Sequence, residues 1–187
     1  MKMPLIVAAM ALLAACNNSA IAPSADSTTV KMMDTSMAVK PIQSPYPVLY
    51  SSNFVMDGPK NAESLLALWK AYDKGDLSAA KDLIADTLEA HLASGITIRA
   101  SRDSIIASIQ ALRNTLTAAV DEVHAIMAVK STDKNEHWAL IWGMEKDTHK
   151  NGKVDSVDLQ ETWRFNQDGK ADLFYQYSAK SAPPAKK

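Results

Sequence analysis

EHWALIWGMEKDTHKNGKVDSVDLQETWRFNQDGKADLFYQYS, residues 136–178, decides how this chain folds. It reads as three consecutive antiparallel strands separated by Asn151-Gly152 and by Asn166-Gln167-Asp168-Gly169. Asn-Gly is the strongest short signal for a two-residue type I′ turn, because both central positions need φ > 0. Pairing outward from that turn predicts Met144 opposite Leu159, Trp142 opposite Glu161, Leu140 opposite Trp163 and Trp138 opposite Phe165, all on one buried face. The second connection suits a type I turn closed by a left-handed Gly, a three-residue loop with a bulge. It predicts Trp163 against Leu173 and Glu161 against Tyr175, with Arg164 against Asp172 and Gln160 against Gln176 on the reverse side. Ile141, Thr162 and Phe174 then fall on the face turned away from the helices. Apolar groups there predict a homodimer through the sheet.

Glu161 is out of place among these apolar positions. A carboxylate between Trp142, Tyr175 and Tyr177 must find hydrogen-bond partners or hold its proton, since burying it unpaired is costly.

A chain of 187 residues supports one domain with a substantial core once its ends are set aside. Its formal net charge is −1, and no Lys/Arg cluster interleaves with aromatics, so nucleic acid is not an expected partner. Cys16 is the single cysteine, which excludes an intrachain disulfide and a cysteine-based metal site.

Residues 1–15 carry Lys2, an apolar run from Leu5 and small residues before Cys16, the pattern of a secretory signal too short to span a bilayer. Leu13-Ala14-Ala15-Cys16 resembles the bacterial lipoprotein box. That resemblance implies lipid on Cys16, a mature chain beginning there, and a membrane anchor at the cell envelope. Asn17 at the following position implies the outer membrane facing the periplasm. Residues 16–47 are rich in Ser, Thr, Ala, Met and Pro without apolar periodicity and read as a disordered tether. Met32, Met33 and Met37 have no His or Cys beside them to complete a soft-metal site.

The domain is expected over residues 48–178, with a disordered tail at 179–187. Residues 48–55 form a short strand or lie along the domain. Asn61 opens a helix in which Leu65, Leu68, Trp69 and Tyr72 share one side and Gly75 is the stop. Asp76 caps a shorter helix with Leu77, Ala80, Leu83 and Ile84 buried, ending near Asp86. Leu88, Ala90 and Leu92 alternate as a half-buried strand, turned at Ser94-Gly95 onto residues 96–99. Ser101 caps what is expected to be the longest helix, with Ile105, Ile106, Ile109, Leu112 and Leu116 on its apolar side. Val123, Ala125, Met127 and Val129 then alternate as the strand before the opening stretch.

This order, with AYDKGDLSAAKDLIAD at 71–86, ASRDSIIASI at 100–109 and WRFNQDGKADLFYQY at 163–177, resembles the NTF2-like superfamily in its SnoaL-like, ketosteroid-isomerase-like branch. The resemblance covers residues 61–178. It implies an α+β cone in which a curved antiparallel sheet wraps around about three N-terminal helices, with a ligand cavity at its mouth and dimers through the sheet. The base and oxyanion-hole residues of the isomerases have no matching positions here.

The expected ligand pocket comprises Trp69, Tyr72, His91, Trp142, Glu161, Trp163, Tyr175 and Tyr177. Glu161 either braces the core or serves chemistry, and the family's cavity-lining strand brings His91 toward it. Glu145 and Asp158 are expected on the other face. His124, His137 and His149 have no metal-ligand spacing, and no phosphate-binding loop or nucleophile elbow is present, so neither metal nor cofactor is expected. Two functions follow. The first is a lipid-anchored module that binds a small apolar or amphipathic molecule, or a partner protein, without catalysis. The second is an isomerase, cyclase or hydrolase using Glu161 as general base, with His91 or Tyr175 as acid or orienting group.

Overall fold

A computed structural model describes residues 42–180. The signal segment, Cys16, the tether up to residue 41 and the tail beyond residue 180 lie outside the described residues. Seven strands and two α-helices follow in the order β1 (Phe54–Met56), α1 (Lys60–Lys74), a 3-10 helix (Leu77–Leu83), β2 (Ile84–His91), β3 (Thr97–Ser101), α2 (Arg102–Arg113), β4 (Leu116–Ser131), β5 (Glu136–His149), β6 (Val154–Phe165) and β7 (Ala171–Lys180). The strands form one sheet in the order β1-β4-β5-β6-β7-β2-β3. All neighbours are antiparallel except β2 and β7, which run parallel, with β3, α2 and the β4–β6 meander between them in the chain.

The apolar spacing places the helices as expected, but α1 starts at Lys60 behind Pro59 without a side-chain cap, and Asn61, the expected cap, is buried in its first turn. α1 buries Leu65, Leu68 and Trp69 and stops at Gly75, whose φ of +73° and N–H bonds to the last turn form a left-handed cap. Asp76 accepts from the Ser78 N–H, and Ser101 accepts from the Ser104 N–H. Two further expectations change. The segment after Asp76 closes as a 3-10 helix at Leu83, and Ile84 already belongs to β2. α1, with 15 residues, is longer than α2, with 12: α2 ends at Arg113, leaving Leu112 exposed and Leu116 in a strand.

The larger correction concerns phase. The Asn151-Gly152 turn is not the two-residue type. His149 N–H donates to Lys153 O and Gly152 N–H to His149 O, with Gly152 at φ +81° and Asn151 in the ordinary negative-φ range. This is the three-residue bulged loop seen again at Asn166–Gly169, where Gly169 has φ +74°. One additional loop residue shifts β5 by one position and turns every side chain to the opposite face. The observed pairs are Gly143 with Leu159, Ile141 with Glu161, Ala139 with Trp163 and His137 with Phe165. Ala139 and Ile141 are fully buried against the helices, while Trp138, Leu140 and Trp142 line the outer face.

A second bulge, at Asp172, separates the pair Phe165–Ala171 from Arg164–Leu173. Phe174 thereby stacks on Trp163, with ring centroids 4.3 Å apart, and Gln176 replaces Tyr175 opposite Glu161. Asp172 still reaches the Arg164 guanidinium, Nε to Oδ1 at 2.9 Å, as expected from their charges. Ile141 and Phe174 are thus core residues and not part of an outer apolar patch. A third irregularity, at His124, leaves Ile126 and Ala128 facing the core and sends Ala125, Met127 and Val129 outward. β7 continues through Ala179 and Lys180, two residues beyond the expected end, by pairing with Asp158 and Val157.

At Gly143 the first helix comes close against the sheet. A Cβ added there meets the Glu122 carbonyl at 2.6 Å and Trp69 Cζ3 at 2.7 Å. The glycine therefore provides the space in which the Trp69 indole lies. Gly143→Ala is expected to destabilise the domain by about 1–3 kcal/mol through overpacking. Urea unfolding checks this; an unchanged midpoint would show that the indole has room to move.

Candidate functional site

Between α1, α2, β2, β3 and the inner face of the sheet lies a cavity of about 390 Å3. Its walls are aliphatic and aromatic, with Leu68, Ile84, Leu88, Ile105, Ile109, Trp163 and Phe174 among them. Its rim includes Ile98 and Leu112, which are 38% and 65% exposed, and the exposed Ser104 and Ser108. Three carboxyl groups, those of Asp121, Glu145 and Glu161, line it.

Glu161 is buried, 5% exposed, because its own strand alternates Leu159, Glu161, Trp163 and Phe165 toward the helices. Three N–H donors converge on it. Trp69 Nε1 and Trp163 Nε1 each donate to Oε2 at 2.8 Å, and Gln176 Nε2 donates to Oε1 at 3.0 Å. The carboxyl group thereby joins α1, β6 and β7, and both indoles satisfy the polar end that a buried Trp must satisfy.

Asp121 and Glu145 face each other across the β4–β5 ladder. Burial pushes the Asp121 carboxyl up to about 8, reinforced by the negative charges of Asp73, Glu145 and Glu161. Burial pushes Glu145 up to about 7, with Asp147, Glu161 and Asp73 adding to it. Asp147 is raised for the same first reason. Asp73 anchors the group by accepting the Asp121 backbone N–H at 2.9 Å and pairing with Lys70 at 2.8 Å. Arg113, on α2, spends Nε and Nη2 on the carbonyls of Tyr72 and Asp73 at 2.8 and 2.9 Å and lies over the Tyr72 ring. Burial also raises the Tyr72 hydroxyl.

Of the eight expected pocket residues, Trp69, Tyr72, Glu161 and Trp163 line this cavity. The other four do not. Trp142, Tyr175 and Tyr177 moved to the outer face with the two bulges, and His91 stacks on Tyr175 with centroids 4.5 Å apart while bonding Glu89 and Thr97. His91 and Tyr175 therefore cannot act with Glu161. Glu145 lies inside, contrary to expectation, and Asp121 and Gln176 join it. Reading residues 150–152 as a three-residue loop was the one signal able to place Glu145. Nothing in the local pattern distinguished the two readings, because β5 is apolar on both faces. Among the described residues there is no group of His, Cys, Asp and Glu arranged to hold a metal ion. Nor is any helix long and apolar enough to cross a membrane.

The helices cupped by a curved, unclosed sheet with a cavity between them are the NTF2-like fold. Solved structures with this fold include an LEH-like epoxide hydrolase from M. tuberculosis, at 12% identity and TM-score 0.54, covering 64% of this chain and 83% of that one. AusH from Aspergillus nidulans matches at 11% identity and TM-score 0.54 over 68% of this chain and 89% of that one. An NTF2-like protein of unknown function from Burkholderia pseudomallei matches at 17% identity and TM-score 0.51 over 64% and 91%. No family model and no curated protein matches the sequence. At these identities the likeness is one of fold.

The raised carboxyls tie stability to pH. Folding lifts Asp121 and Glu145 above their unfolded values, so the folded state holds protons that the unfolded chain has released. Their contribution is complete below the unfolded carboxylate range and is lost as pH rises through about 7 and then about 8. The domain is expected to lose thermal stability between about pH 5 and about pH 8.5, and the Asp121→Asn, Glu145→Gln double variant to lose less over the same range. Melting curves across that range check it; parallel profiles for the two proteins would contradict the assignment.

Proposed function

We propose that this is a binding domain, held at the bacterial cell envelope by lipid on Cys16, which takes a small amphipathic molecule into the cavity beside Glu161. The observation that supports it is the cavity itself, largely apolar in its walls and polar where the three carboxyl groups meet. Glu161 favours binding over catalysis, since its oxygens are already occupied by Trp69, Trp163 and Gln176. One observation favours a second reading, an enzyme of the isomerase, cyclase or hydrolase kind. Asp121 and Glu145 are raised into the range where a carboxyl group exchanges protons near neutral pH. In that reading they, and not Glu161, are the acid–base pair. The epoxide hydrolase with the same fold is consistent with it, at the level of fold.

N-phenylnaphthylamine, an uncharged apolar dye, tests the cavity. It is expected to bind with enhanced emission and to be excluded by Ile109→Trp, which fills the rim while the circular dichroism spectrum stays unchanged. Dye binding that Ile109→Trp leaves intact would place the apolar site elsewhere.

The anchor and the oligomer belong to the same proposal. The outer face carries an apolar groove of about 440 Å3 lined by Tyr50, Phe54, Val129, Trp138, Leu140, Thr162, Tyr175 and Tyr177, and a second copy of the chain is the occupant proposed for it. Cys16→Ser is expected to release the protein from membranes, and sedimentation of the released protein at micromolar concentration to return the mass of a dimer. Membrane retention of Cys16→Ser would contradict the anchor, and a monomer mass would contradict the dimer.

A further inference from the structure

The polar end of the cavity carries charge of one sign. Every ionisable acid or base lining it, Tyr72 apart, is a carboxyl: Asp121, Glu145 and Glu161. Asp73 and Asp147 stand behind them and act on the same groups. The two nearby cations are already committed. Arg113 donates to the carbonyls of Tyr72 and Asp73, and Lys70 is paired with Asp73 at the surface.

The carboxyls differ in what they have left to offer. Glu161 has both oxygens occupied by N–H donors. Asp121 and Glu145 accept no side-chain N–H among the described residues, and both line the cavity; Asp121 Oδ1 is itself enclosed, and its carboxyl lies beside that of Asp73, with which it shares a hydrogen bond. Lining carboxyls without N–H partners leave acceptor capacity toward a space that a ligand can enter. A neutral donor would satisfy one oxygen. A cation would also be attracted by every neighbouring carboxylate, and an anion would be repelled by them, each effect strengthened by the low-dielectric walls.

We propose that the cavity selects amphipathic cations: a protonated amine seated between Asp121 and Glu145, with an aliphatic body along Leu88, Ile105 and Ile109. This rests on the cavity-binding reading above and goes beyond it by assigning the sign of the ligand's charge. Asp121 and Glu145 are the selecting residues, because their carboxyl groups line the cavity and, unlike that of Glu161, are not occupied by side-chain N–H donors among the described residues. Glu161 is the fixed wall that keeps Trp69 and Trp163 in place.

Octylamine, octanol and octanoate share one aliphatic body and differ in charge, so they separate the two claims. Titrating each into the full-length protein near neutral pH, and following tryptophan emission together with displacement of N-phenylnaphthylamine, is expected to show octylamine binding at least tenfold tighter than octanol. Octanoate is expected to bind weakest. Asp121→Asn should bring octylamine down to the level of octanol while leaving octanol unchanged. Glu145→Gln should produce the same loss in part. Octanol or octanoate binding as tightly as octylamine would overturn the charge selectivity and leave the cavity reading standing. If none of the three displaces the dye, or Ile109→Trp does not affect their binding, the cavity reading fails together with the proposal. Equal loss of octylamine and octanol in Asp121→Asn would mean that the substitution has disturbed the cavity without touching a charge contact, and would also overturn the assignment.

Discussion

Three N–H groups meeting on one buried carboxyl group hold the parts of this domain in register. Trp69 comes from the first helix, Trp163 from the same strand as Glu161, and Gln176 from the neighbouring strand. Without Glu161, two indoles and an amide would be left in an apolar interior with donors unpaired, each at a cost of about 1–3 kcal/mol. The arrangement also explains Gly143. The Trp69 indole that reaches Oε2 occupies the space where a Cβ on residue 143 would stand, so a residue without one leaves room for it. Removing one partner from such a network penalises those that remain, so the helix layer and the sheet are specified together.

The electrostatics of the cavity follow from the same packing. The sheet curves around α1 and places Asp121 and Glu145 opposite each other, and Asp73 at the end of that helix closes on the Asp121 backbone. Carboxyls gathered behind apolar walls cannot all stay charged at modest cost, and burial together with mutual repulsion holds their protons. A region with that character serves either proton exchange or the binding of a counter-charge. Glu161 is occupied by three N–H donors while Asp121 and Glu145 accept none from side chains among the described residues, a difference that no single strand pattern suggests.

The outer face has a separate logic. The bulges at Gly152 and Asp172 expel Trp138, Leu140, Tyr175 and Tyr177 from the core, and Tyr50 folds edge-on against Trp138 at 6.2 Å between centroids. The sheet is thus apolar on both sides, which a half-buried antiparallel sheet avoids unless something covers the second side.

The sequence by itself determined the elements and their order, the caps at Asp76 and Ser101, the left-handed stop at Gly75, the bulged loop at Gly169 and the burial of Glu161, because each depends on neighbours a few residues away. The NTF2-like fold was legible for the same reason, as a succession of local patterns. Tertiary structure alone decided the phase of β5 and β7. The run HWALIWGM is apolar at nearly every position, so alternation could not say which half faces the helices, and Asn-Gly is compatible with loops that differ by one residue. That one residue decided that Glu145 lines the cavity and that Trp142 does not, and the bulge at Asp172 turned Tyr175 and Tyr177 outward. What resolved it was the fit of Ala139, Ile141 and Gly143 beneath Trp69, a constraint between residues some seventy positions apart that no local window contains.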